Sequence, residues 1–522
     1  MVGRSRADLA AMALIVFSML RIASTWTLYS ATVDEPNHVS SALQLYTQHD
    51  YSYLPVNPPL PRLVFGLAPW LGGMEFDPAR PQEEQLKKVF YSNGKYKTNL
   101  MLARPGTLVF FIIAALATWW WARRELGPAG GLVAMALLTL QPVVAGHSAL
   151  ATHDTAAVAG LAVSLLAFAR WLDVPSMRRA MLFGAAYAFA ILTKFSCIGY
   201  IPAACLAMYF VRLLRDPATR AAWRRLIPSF FAALLVCLIG IWAGYGFTVG
   251  RLDFLNHLGD VLGHGTLAQF VARHPSWPLP AHWFFLGIGH VVMFDKMGLF
   301  GFLFGEVRPF GWWYYFPVAV ALKSTLASLV LGLCALFARR FRVAGEALAA
   351  SVAILGVSMT SHLDLGVRYV LPIYAPLAVA GAAASMAMFH HHRLRIAAAL
   401  LIAWHAVASL IAIPDAFPYF NELAGRRPWL ILLDSNIDWG QDLLRLRRVV
   451  RAKKIERIGI TTLGWHDYDK LGFPPSYELR GDLPSQGWVA VSEHMYGFFG
   501  YYWLKGRRYE RVGKSIRLYY IP

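Results

Sequence analysis

Charged residues are scarce in this sequence of 522 residues. Asp, Glu, Lys and Arg together make up 15% of it, against about 25% in an average soluble domain. Apolar residues make up 57% and fall in long blocks rather than being spread evenly. This balance excludes a soluble enzyme, a disordered chain and a fibrous repeat, and it predicts a protein that crosses a membrane several times.

Cysteine is also rare, and the four that occur lie in or beside apolar blocks: Cys197, Cys205, Cys237 and Cys334. None has the spacing of a redox or zinc motif, so a disulfide framework and a Cys-based metal site are not indicated. The sequence also lacks a P-loop and a Gly-x-Gly-x-x-Gly fingerprint, so nothing in it points to nucleotide binding.

Apolar blocks of about 20 residues, long enough to cross a bilayer as a helix, predict about eleven spans. The predicted spans are 9–29, 101–121, 128–147, 154–172, 179–194, 197–214, 226–247, 312–338, 343–360, 369–388 and 396–413. No small-residue cleavage site follows the first block, so we interpret it as a retained span rather than a signal peptide.

Basic residues exceed acidic ones, 49 to 30, which gives a formal net charge of +19. The short basic connections, such as those at Arg123–Arg124 and Arg339–Arg340, all fall on one side of the membrane if eleven spans are counted. The positive-inside rule then predicts a cytoplasmic N-terminus and an extracytoplasmic C-terminal segment. This distribution accounts for much of the excess charge, and we expect no nucleic acid partner.

With this orientation, the outer side holds two long loops, at about 30–100 and 248–311, and a tail at 414–522. The tail mixes charges with short apolar runs and contains no span. We therefore predict two domains: a transmembrane domain over 1–413 and a small extracytoplasmic α/β domain over 414–522.

Patterning within the tail predicts one helix and several strands. Leucine and valine recur at helical spacing over Asp438–Lys453. Strands are predicted at Arg457–Leu463, Gly487–Val491 and Ser515–Ile521. Asp434, Asp438 and Asp442 precede or open the helix at four-residue intervals, which does not match a calcium-binding EF-hand loop. We favour Asp438 as the cap of the helix.

Acidic residues on the predicted outer side are candidates for chemistry. Asp34 and Glu35 follow the first span directly, and Asp154 opens the fourth. Carboxylates at one depth can activate an acceptor hydroxyl, stabilise a cationic transition state or share a divalent cation. The alternative is helix capping, by Asp34 or Asn37 in the first loop and by Thr152 or Asp154 in the second.

Basic residues and histidines on the same side are candidates for substrate binding, because charge-assisted hydrogen bonds to phosphate are strong. The basic candidates are Arg62, Lys95, Lys97, Arg104, Lys194 and Arg368, and the histidines beside the acidic motifs are His38, His153 and His362. Snorkelling beside lipid headgroups is the alternative for the loop cations. Arg368 breaks the inside-positive pattern, and its alternative is an ion pair with Asp364.

Taken together, these motifs resemble the lipid-carrier-dependent glycosyltransferases of the GT-C fold, in particular glycosyltransferase family 39. That family includes protein O-mannosyltransferases and the aminoarabinose transferase of lipid A. The segments that carry the resemblance are Asp34-Glu35, Pro58-Pro59-Leu60, His153-Asp154, Gly311–Pro317, Ser361–Arg368 and Asp434–Asp442. Each motif is short, and their order along the predicted spans is more specific than any one of them.

The resemblance implies a polytopic helical membrane protein of GT-C type that works in the bacterial inner membrane. Its donor would be an undecaprenyl- or other polyprenyl-phosphate sugar, and a lipid, glycan or protein would accept the sugar at the outer face with inversion. By matching position, Asp34 would be the base, supported by Glu35, and Asp154 the second acid. Arg368 and Lys95 or Lys97 would contact phosphate. Some family members use a divalent cation and others do not, so the metal stays open.

Two other classes compete with this interpretation. A transporter or flippase of a lipid-linked or anionic solute would line a path through the membrane with charge, often at paired broken helices. Here the charges gather at one face, with Lys323 as an exception within a span. A structural or assembly subunit would leave the outer acids and Arg368 unexplained. We therefore favour the glycosyltransferase.

Overall fold

The computed structural model describes residues 6–221, 223–258 and 266–522. Most of them are helical, because the long apolar blocks satisfy their backbone hydrogen bonds internally. The α-helices are Arg6–Ala23, Glu35–Gln48, Pro59–Leu71, Gln82–Lys88, Tyr96–Ala103, Thr107–Thr139, Pro142–Ser148, Asp154–Asp173, Met177–Thr193, Cys197–Arg215, Pro217–Ala221, Trp223–Gly244, Thr266–Arg273, His282–Met297, Tyr315–Lys323, Leu326–Cys334, Arg342–Ser358, Tyr374–Phe389, Arg395–Ala412, Leu443–Ala452, Tyr468–Leu471 and Glu493–Phe499.

Within the described residues, six helices are long and apolar enough to cross a membrane, or seven if one bent pair counts as a span. The six are Tyr96–Thr139, Asp154–Asp173, Cys197–Arg215, Leu226–Gly244, Val367–Phe389 and Arg395–Ala412. Each of the eleven predicted blocks contains helix, but several helices, such as Met177–Thr193 with 17 residues, are short. The protein is therefore a polytopic helical membrane protein, and the count of about eleven stays a prediction.

Two predicted spans have different boundaries in the structure. The predicted spans 101–121 and 128–147 share the helix Thr107–Thr139, which is kinked at Gly127, where φ is +70°. The following residue is Pro128, which has no N–H to continue the helical hydrogen bonds. The second of these spans therefore ends at Thr139 rather than at residue 147.

The predicted span over 312–338 is broken in the structure. The segment forms two helices, Tyr315–Lys323 and Leu326–Phe337, bent by 112°. Thr325 begins the second helix as its cap, since its hydroxyl accepts a hydrogen bond from the amide of Ser328 at 3.2 Å. The bend brings the end of the first helix toward the tail.

Among the residues that the structure describes, nine short strands form three sheets. The strands are β1 Val249–Arg251, β2 Pro278–Pro280, β3 Phe300–Leu303, β4 Glu306–Pro309, β5 Ile458–Thr461, β6 Ser476–Glu478, β7 Gly487–Ser492, β8 Glu510–Val512 and β9 Ile516–Ile521. The first four make two antiparallel hairpins, and the tail contains a mixed sheet of order β6-β5-β7-β9-β8. Strands β5, β6 and β7 are parallel, and β9 is antiparallel to β7 and β8.

The tail confirms the predicted α/β composition and corrects its details. The predicted helix over Asp438–Lys453 begins at Leu443 instead, because residues 434–442 form turns tied to neighbouring segments. Its buried face, including Leu446 and Val450, packs on Ile458 and Ile460 of the sheet. The two strands that the patterning missed, β6 and β8, have three residues each, which is too short to show an alternation.

One close helix contact brings two candidate residues to the same end of the bundle. The antiparallel helices Asp154–Asp173 and Met177–Thr193 cross at Gly160, where a Cβ would lie 2.7 Å from the Cα of Ala190. Only glycine permits this approach. Asp154, which begins one helix, and Lys194, which follows the other, therefore lie side by side.

Candidate active site

Asp34 and Arg368 form an ion pair between distant parts of the chain. An oxygen of Asp34 accepts a hydrogen bond from Nη1 of Arg368 at 2.6 Å. Asp34 occupies the cap position of the helix Glu35–Gln48, but its side chain makes no capping hydrogen bond. The alternative partner of Arg368 is excluded, because Asp364 instead accepts a hydrogen bond from the amide of Trp312 at 2.6 Å.

Asp154 and Lys194 form a second ion pair. Nζ of Lys194 lies 2.5 Å from an oxygen of Asp154, whose other oxygen accepts a hydrogen bond from the Thr152 hydroxyl at 3.1 Å. The helix cap is the preceding residue, His153, whose side chain makes no capping hydrogen bond. The capping alternatives therefore do not explain Asp154, which is buried against a cation.

Aromatic rings join the two pairs into one cluster. The Tyr369 ring lies 5.0 Å from the guanidinium carbon of Arg368 and 4.9 Å from Nζ of Lys194. The guanidinium also lies 4.4 Å from the ring centroid of Trp439. Such cation–π contacts fix the direction of a cation without neutralising it. The rings therefore orient both cations, and each cation is also paired with a carboxylate.

The tail holds this cluster in place. The side-chain oxygen of Asn436 accepts a hydrogen bond from the amide of Val367 at 3.0 Å, next to Arg368. Nζ of Lys323, at the bend of the broken helix pair, donates to the carbonyls of Phe417 and Asn436 at 3.1 and 2.5 Å. These bonds anchor the tail segment that carries Trp439.

Glu35 is placed differently from Asp34. It is fully buried and forms a two-point ion pair with Arg104, with distances of 2.8 and 2.9 Å. It also accepts hydrogen bonds from the amides of Thr32 and Ala151 at 2.9 and 3.0 Å. Burial raises the pKa of the Glu35 carboxyl, but Arg104 outweighs it, and the net pKa is lowered. Glu35 and Arg104 thus satisfy each other and brace the loop that carries Asp34.

Arg62 is buried rather than snorkelling at an interface. Only 1% of it is exposed, and it donates to the carbonyl of Tyr53 at 3.2 Å and to those of Leu54 and Asn57. Burial lowers its pKa to about 10. Arg62 therefore shapes the turn before the Pro-rich element and does not lie at the lipid surface.

Three predicted substrate-binding residues lie outside this cluster. Lys95 and Lys97 are exposed, and no hydrogen bond or ion pair joins their side chains to the described residues. His362 is also exposed, and its Nδ1 lies 3.4 Å from a carboxylate oxygen of Asp295. Nothing in these contacts links the three side chains to Asp34 or Asp154.

Two histidines pack together beside the acids. The rings of His38 and His153 are 4.5 Å apart, and both side chains are buried. Nε2 of His153 lies 3.2 Å from the carbonyl of Pro58. Burial lowers the pKa of His38 to about 4, although the nearby carboxylates of Asp34 and Asp154 act in the opposite direction. The imidazole is therefore neutral at physiological pH.

Two acids of the tail, Asp438 and Asp442, are structural. Asp438 accepts hydrogen bonds from the amides of Gly440 and His494 at 3.2 and 2.8 Å, so it does not cap the helix that begins at Leu443, as predicted. Asp442 accepts two from the amides of Lys514 and Ser515, at 2.9 and 3.1 Å. Burial raises the pKa of Asp438 to about 7.

Sequence reasoning missed both aromatic rings of the cluster, Tyr369 and Trp439, and the neighbouring Asn37. Trp439 lies within the segment Asp434–Asp442. Its position between acids that neighbouring segments hold in place could have indicated a ring with a fixed orientation. Asn37 was considered only as a cap. It follows Asp34 by three residues, a spacing that puts both on one face of a helix.

The side chains at the candidate site do not form a set of ligands suited to a divalent cation. Among the residues that the structure describes, no group of three His, Cys, Asp or Glu side chains could hold a metal ion. Asp34 and Asp154 are instead each paired with a cation. No step of the chemistry below is therefore assigned to a metal.

An apolar cavity of about 690 Å³ opens between four helices. They include Asp154–Asp173 and Cys197–Arg215, and the lining includes Phe168, Tyr187 and Ile201. Phe168 lies 14 residues beyond Asp154, or about 21 Å along the helix. Tyr187 and Ile201 are each seven residues from Lys194, about 10 Å along their helices. The cavity therefore begins deeper in the helical bundle than the acids and does not lie beside them.

Comparison with known proteins agrees with this architecture. Residues 97–243 match the family model described as dolichyl-phosphate-mannose-protein mannosyltransferase. Among solved structures, ArnT from Cupriavidus metallidurans bound to undecaprenyl phosphate has a TM-score of 0.50 and 13% identity, with 97% of each chain covered. The oligosaccharyltransferase AglB from Archaeoglobus fulgidus, in complex with an inhibitory peptide and a dolichol-phosphate, has a TM-score of 0.42 and 14% identity, with 78% of this chain and 55% of AglB covered. A search of curated proteins by sequence found no match.

The chain therefore has the GT-C fold, and it is a multi-pass membrane protein of that class. The predicted resemblance to the lipid-carrier-dependent glycosyltransferases of this fold is confirmed, as is the predicted fold class.

Proposed function

We propose that this protein is an inverting glycosyltransferase that moves a sugar from a polyprenyl-phosphate carrier to an acceptor at the outer face of a bacterial inner membrane. The observation that carries the proposal is the convergence of two ion pairs, Asp34–Arg368 and Asp154–Lys194, around the Tyr369 ring. Their four charged side chains come from four connections between helices, at residues 34, 154, 194 and 368.

Arg368 and Lys194 are the proposed contacts of the carrier phosphate. The planar guanidinium of Arg368 suits two-point binding of phosphate oxygens, and the ammonium of Lys194 adds a compact charge. Both stabilise the negative charge that grows on the phosphate as it leaves, which is often the largest catalytic contribution. We assign Glu35, Arg104 and Arg62 to positioning the surrounding loops.

Asp34 is the proposed base. Its side chain is 28% exposed, whereas that of Asp154 is 3% exposed, so an incoming acceptor can reach Asp34 more readily. The acceptor oxygen or nitrogen forms a bond to C1 of the sugar while the bond from C1 to the carrier phosphate breaks. The proton of the acceptor passes to the carboxylate of Asp34, and the bonding electron pair leaves with the phosphate. A single displacement of this kind inverts the anomeric centre.

The apolar cavity provides a place for part of the carrier chain. Several lining residues, including Leu206 and Phe231, are also exposed on the outside of the helices, so the cavity opens sideways. We propose that the prenyl chain runs from Lys194 along the helices toward Tyr187 and enters this cavity, while the phosphate stays at the cations.

The transporter alternative finds less support. Lys323 and the broken helix pair are the features that a transporter would use near the middle of the membrane. In this chain, however, Lys323 is fully buried and donates to two carbonyls of the tail. That arrangement suits an anchor better than a moving substrate site.

The direct test is the Asp34→Asn variant of the purified full chain. We expect transfer to fall by about 10²- to 10⁴-fold, because the base is lost while the shape is kept. The measurement is release of polyprenyl phosphate from lipid-linked sugars supplied with a cell-envelope extract as the acceptor source. Asp295→Asn, which removes an acid paired with His362, is the matched control and should stay near wild type. Near-native turnover by Asp34→Asn would overturn the assignment.

A further inference from the structure

Several polar atoms beside the ion pairs have no hydrogen-bond partner within the protein. They include Nδ1 of His38, Nδ1 of His153 and Oδ1 of Asn37. The two histidines are only 5% and 2% exposed. Buried polar atoms are nearly always paired, so a cluster of unpaired ones next to reactive groups indicates a polar ligand.

The hydrogen bond of His153 to Pro58 defines which of its ring nitrogens carries the proton. The carbonyl of Pro58 can only accept a hydrogen bond, so Nε2 of His153 is the donor in the 3.2 Å contact. A neutral imidazole carries one proton, and Nδ1 of His153 is therefore an acceptor. Its natural complement is an O–H or N–H group. Burial lowers the pKa values of His38 and His153, which keeps both rings neutral.

The residues that carry these atoms lie on the same side of the first outer loop as the proposed base, Asp34. Asp34, Asn37 and His38 are spaced i, i+3 and i+4, which places them on one face at the start of the helix Glu35–Gln48. His153 packs on His38 and directly precedes Asp154. A sugar whose C1 lies near Asp34 would therefore meet the two imidazoles with its hydroxyl groups.

The charges around the histidines restrict the sugar. The carboxylates of Asp34 and Asp154 are each paired with a cation. The guanidinium of Arg62 is occupied by the carbonyls of Tyr53, Leu54 and Asn57. With both imidazoles neutral and each of these carboxylates already bound to a cation, the histidines and Asn37 offer a sugar uncharged hydrogen-bonding groups.

We propose that His38, His153 and Asn37 form the donor-sugar subsite, and that it recognises the hydroxyl groups of an uncharged sugar rather than an amino-sugar cation. This inference rests on the proposed function, since the subsite lies beside the proposed base. Each neutral hydrogen bond of this kind changes affinity by about two- to tenfold.

The test measures equilibrium binding by the full chain in lipid nanodiscs with three probes: undecaprenyl phosphate, undecaprenyl-phosphate mannose and undecaprenyl-phosphate aminoarabinose. We expect the mannose-bearing carrier to bind about tenfold more tightly than the bare carrier, and the aminoarabinose-bearing carrier to gain nothing. His153→Phe should remove most of the gain from mannose while leaving bare-carrier affinity unchanged. His38→Phe should act in the same way and serves if His153→Phe does not fold.

His391→Phe is the matched control, because His391 is exposed in the turn between two distant helices, and it should change none of the three affinities. Failure of the bare carrier to bind, or binding that Arg368→Gln leaves unchanged, would overturn the proposed function and this inference with it. Binding of the bare carrier through Arg368 with no gain from mannose would overturn the inference alone. The inference would also be overturned if aminoarabinose increased the affinity of the carrier as much as mannose does, or more. An equal loss of affinity for all three probes in the histidine variants would overturn it as well.

Discussion

The two ends of the helical bundle both carry clustered ion pairs, but they use them differently. At the end predicted to be cytoplasmic, Asp173 accepts from Arg124, Arg212 and Arg342, with distances of 2.9 and 3.1 Å for the last two. Glu346 pairs with Arg212 at 2.8 Å and with Arg342 at 3.3 Å. Each acid there is neutralised by more than one cation, and the cluster ties four helices together.

At the opposite end, the carboxylate of Asp34 has Arg368 as its one hydrogen-bond donor among the described residues. Its neighbours His38, His153 and Asn37 keep polar atoms without partners. The acids therefore form a closed network at one end, where the unpaired atoms are the donors Nη2 of Arg212 and Nε of Arg342, and an unsaturated one at the other. The difference teaches that spare acceptor capacity, rather than charge itself, separates a ligand site from a structural anchor.

The largest effect on folding is expected where a buried pair has no substitute partner. Glu35→Gln leaves Arg104 charged and buried, which should lower the free energy of unfolding by about 3–5 kcal/mol. Glu346→Gln at the other end should lower it by about 1–2 kcal/mol, because Asp173 still pairs with Arg212. Denaturant unfolding of the detergent-solubilised protein measures both. Equal losses for the two variants would contradict the contrast drawn between the ends.

A smaller effect is expected from pH. In the folded protein the pKa of His38 is about 4, so its imidazole stays neutral until the pH falls to that value. In the unfolded chain a histidine takes up a proton below about pH 6.5. The unfolded state then binds more protons, so this residue's contribution to stability is present above pH 6.5 and is lost as the pH falls toward 4. The loss is up to roughly 3 kcal/mol for this one group.

The measurement compares the wild type with His38→Phe, since other groups titrate in the same range. The variant should lose less stability than the wild type between pH 6.5 and pH 4. The exposed His391, changed to Phe, should leave the wild-type slope intact. Parallel pH curves for wild type and His38→Phe would show that the folded imidazole is not held neutral.

The smallest effect is expected at the exposed cations. Lys95→Ala and Lys97→Ala should change transfer by less than about twofold, because solvent-exposed charges without fixed partners contribute little. Initial rates of carrier release at low and high salt check this. A loss of transfer rate above tenfold for either variant would indicate that this lysine contacts the carrier phosphate, as the sequence pattern predicted.

Hydropathy predicted the positions of the helices well, since a lipid-exposed or core-facing span needs a long apolar run. It could not predict the bend between Lys323 and Leu326, because the polar residues Lys323, Ser324 and Thr325 lie within an apolar block that is long enough to be read as one span. The predicted gap between the spans 101–121 and 128–147 coincides with the kink at Gly127, where two helical segments meet. The tail strands of three residues carried too little periodicity to be found.

For the site, the sequence could identify Asp34, Asp154, Lys194 and Arg368 as residues with no obvious place in a membrane span. It could not assign their partners, because the pairs join residues as far apart as 34 and 368. The same limit applied to Glu35, which the sequence placed beside Asp34 as a supporting acid without identifying Arg104 as its partner. Adjacent residues point in different directions from the start of a helix, and only the fold decides which one stays accessible.

The most direct test of the central claim is the affinity of the full chain for undecaprenyl phosphate in nanodiscs, compared between Arg368→Gln and Arg342→Gln. We predict that Arg368→Gln weakens binding by about 10- to 100-fold, because a charge-assisted contact to phosphate is lost. Arg342→Gln removes an arginine of the same chemistry from the closed network and should leave the affinity unchanged. Equal affinities for both variants and the wild type, or equal losses for both variants, would contradict the claim that the unsaturated end binds the carrier.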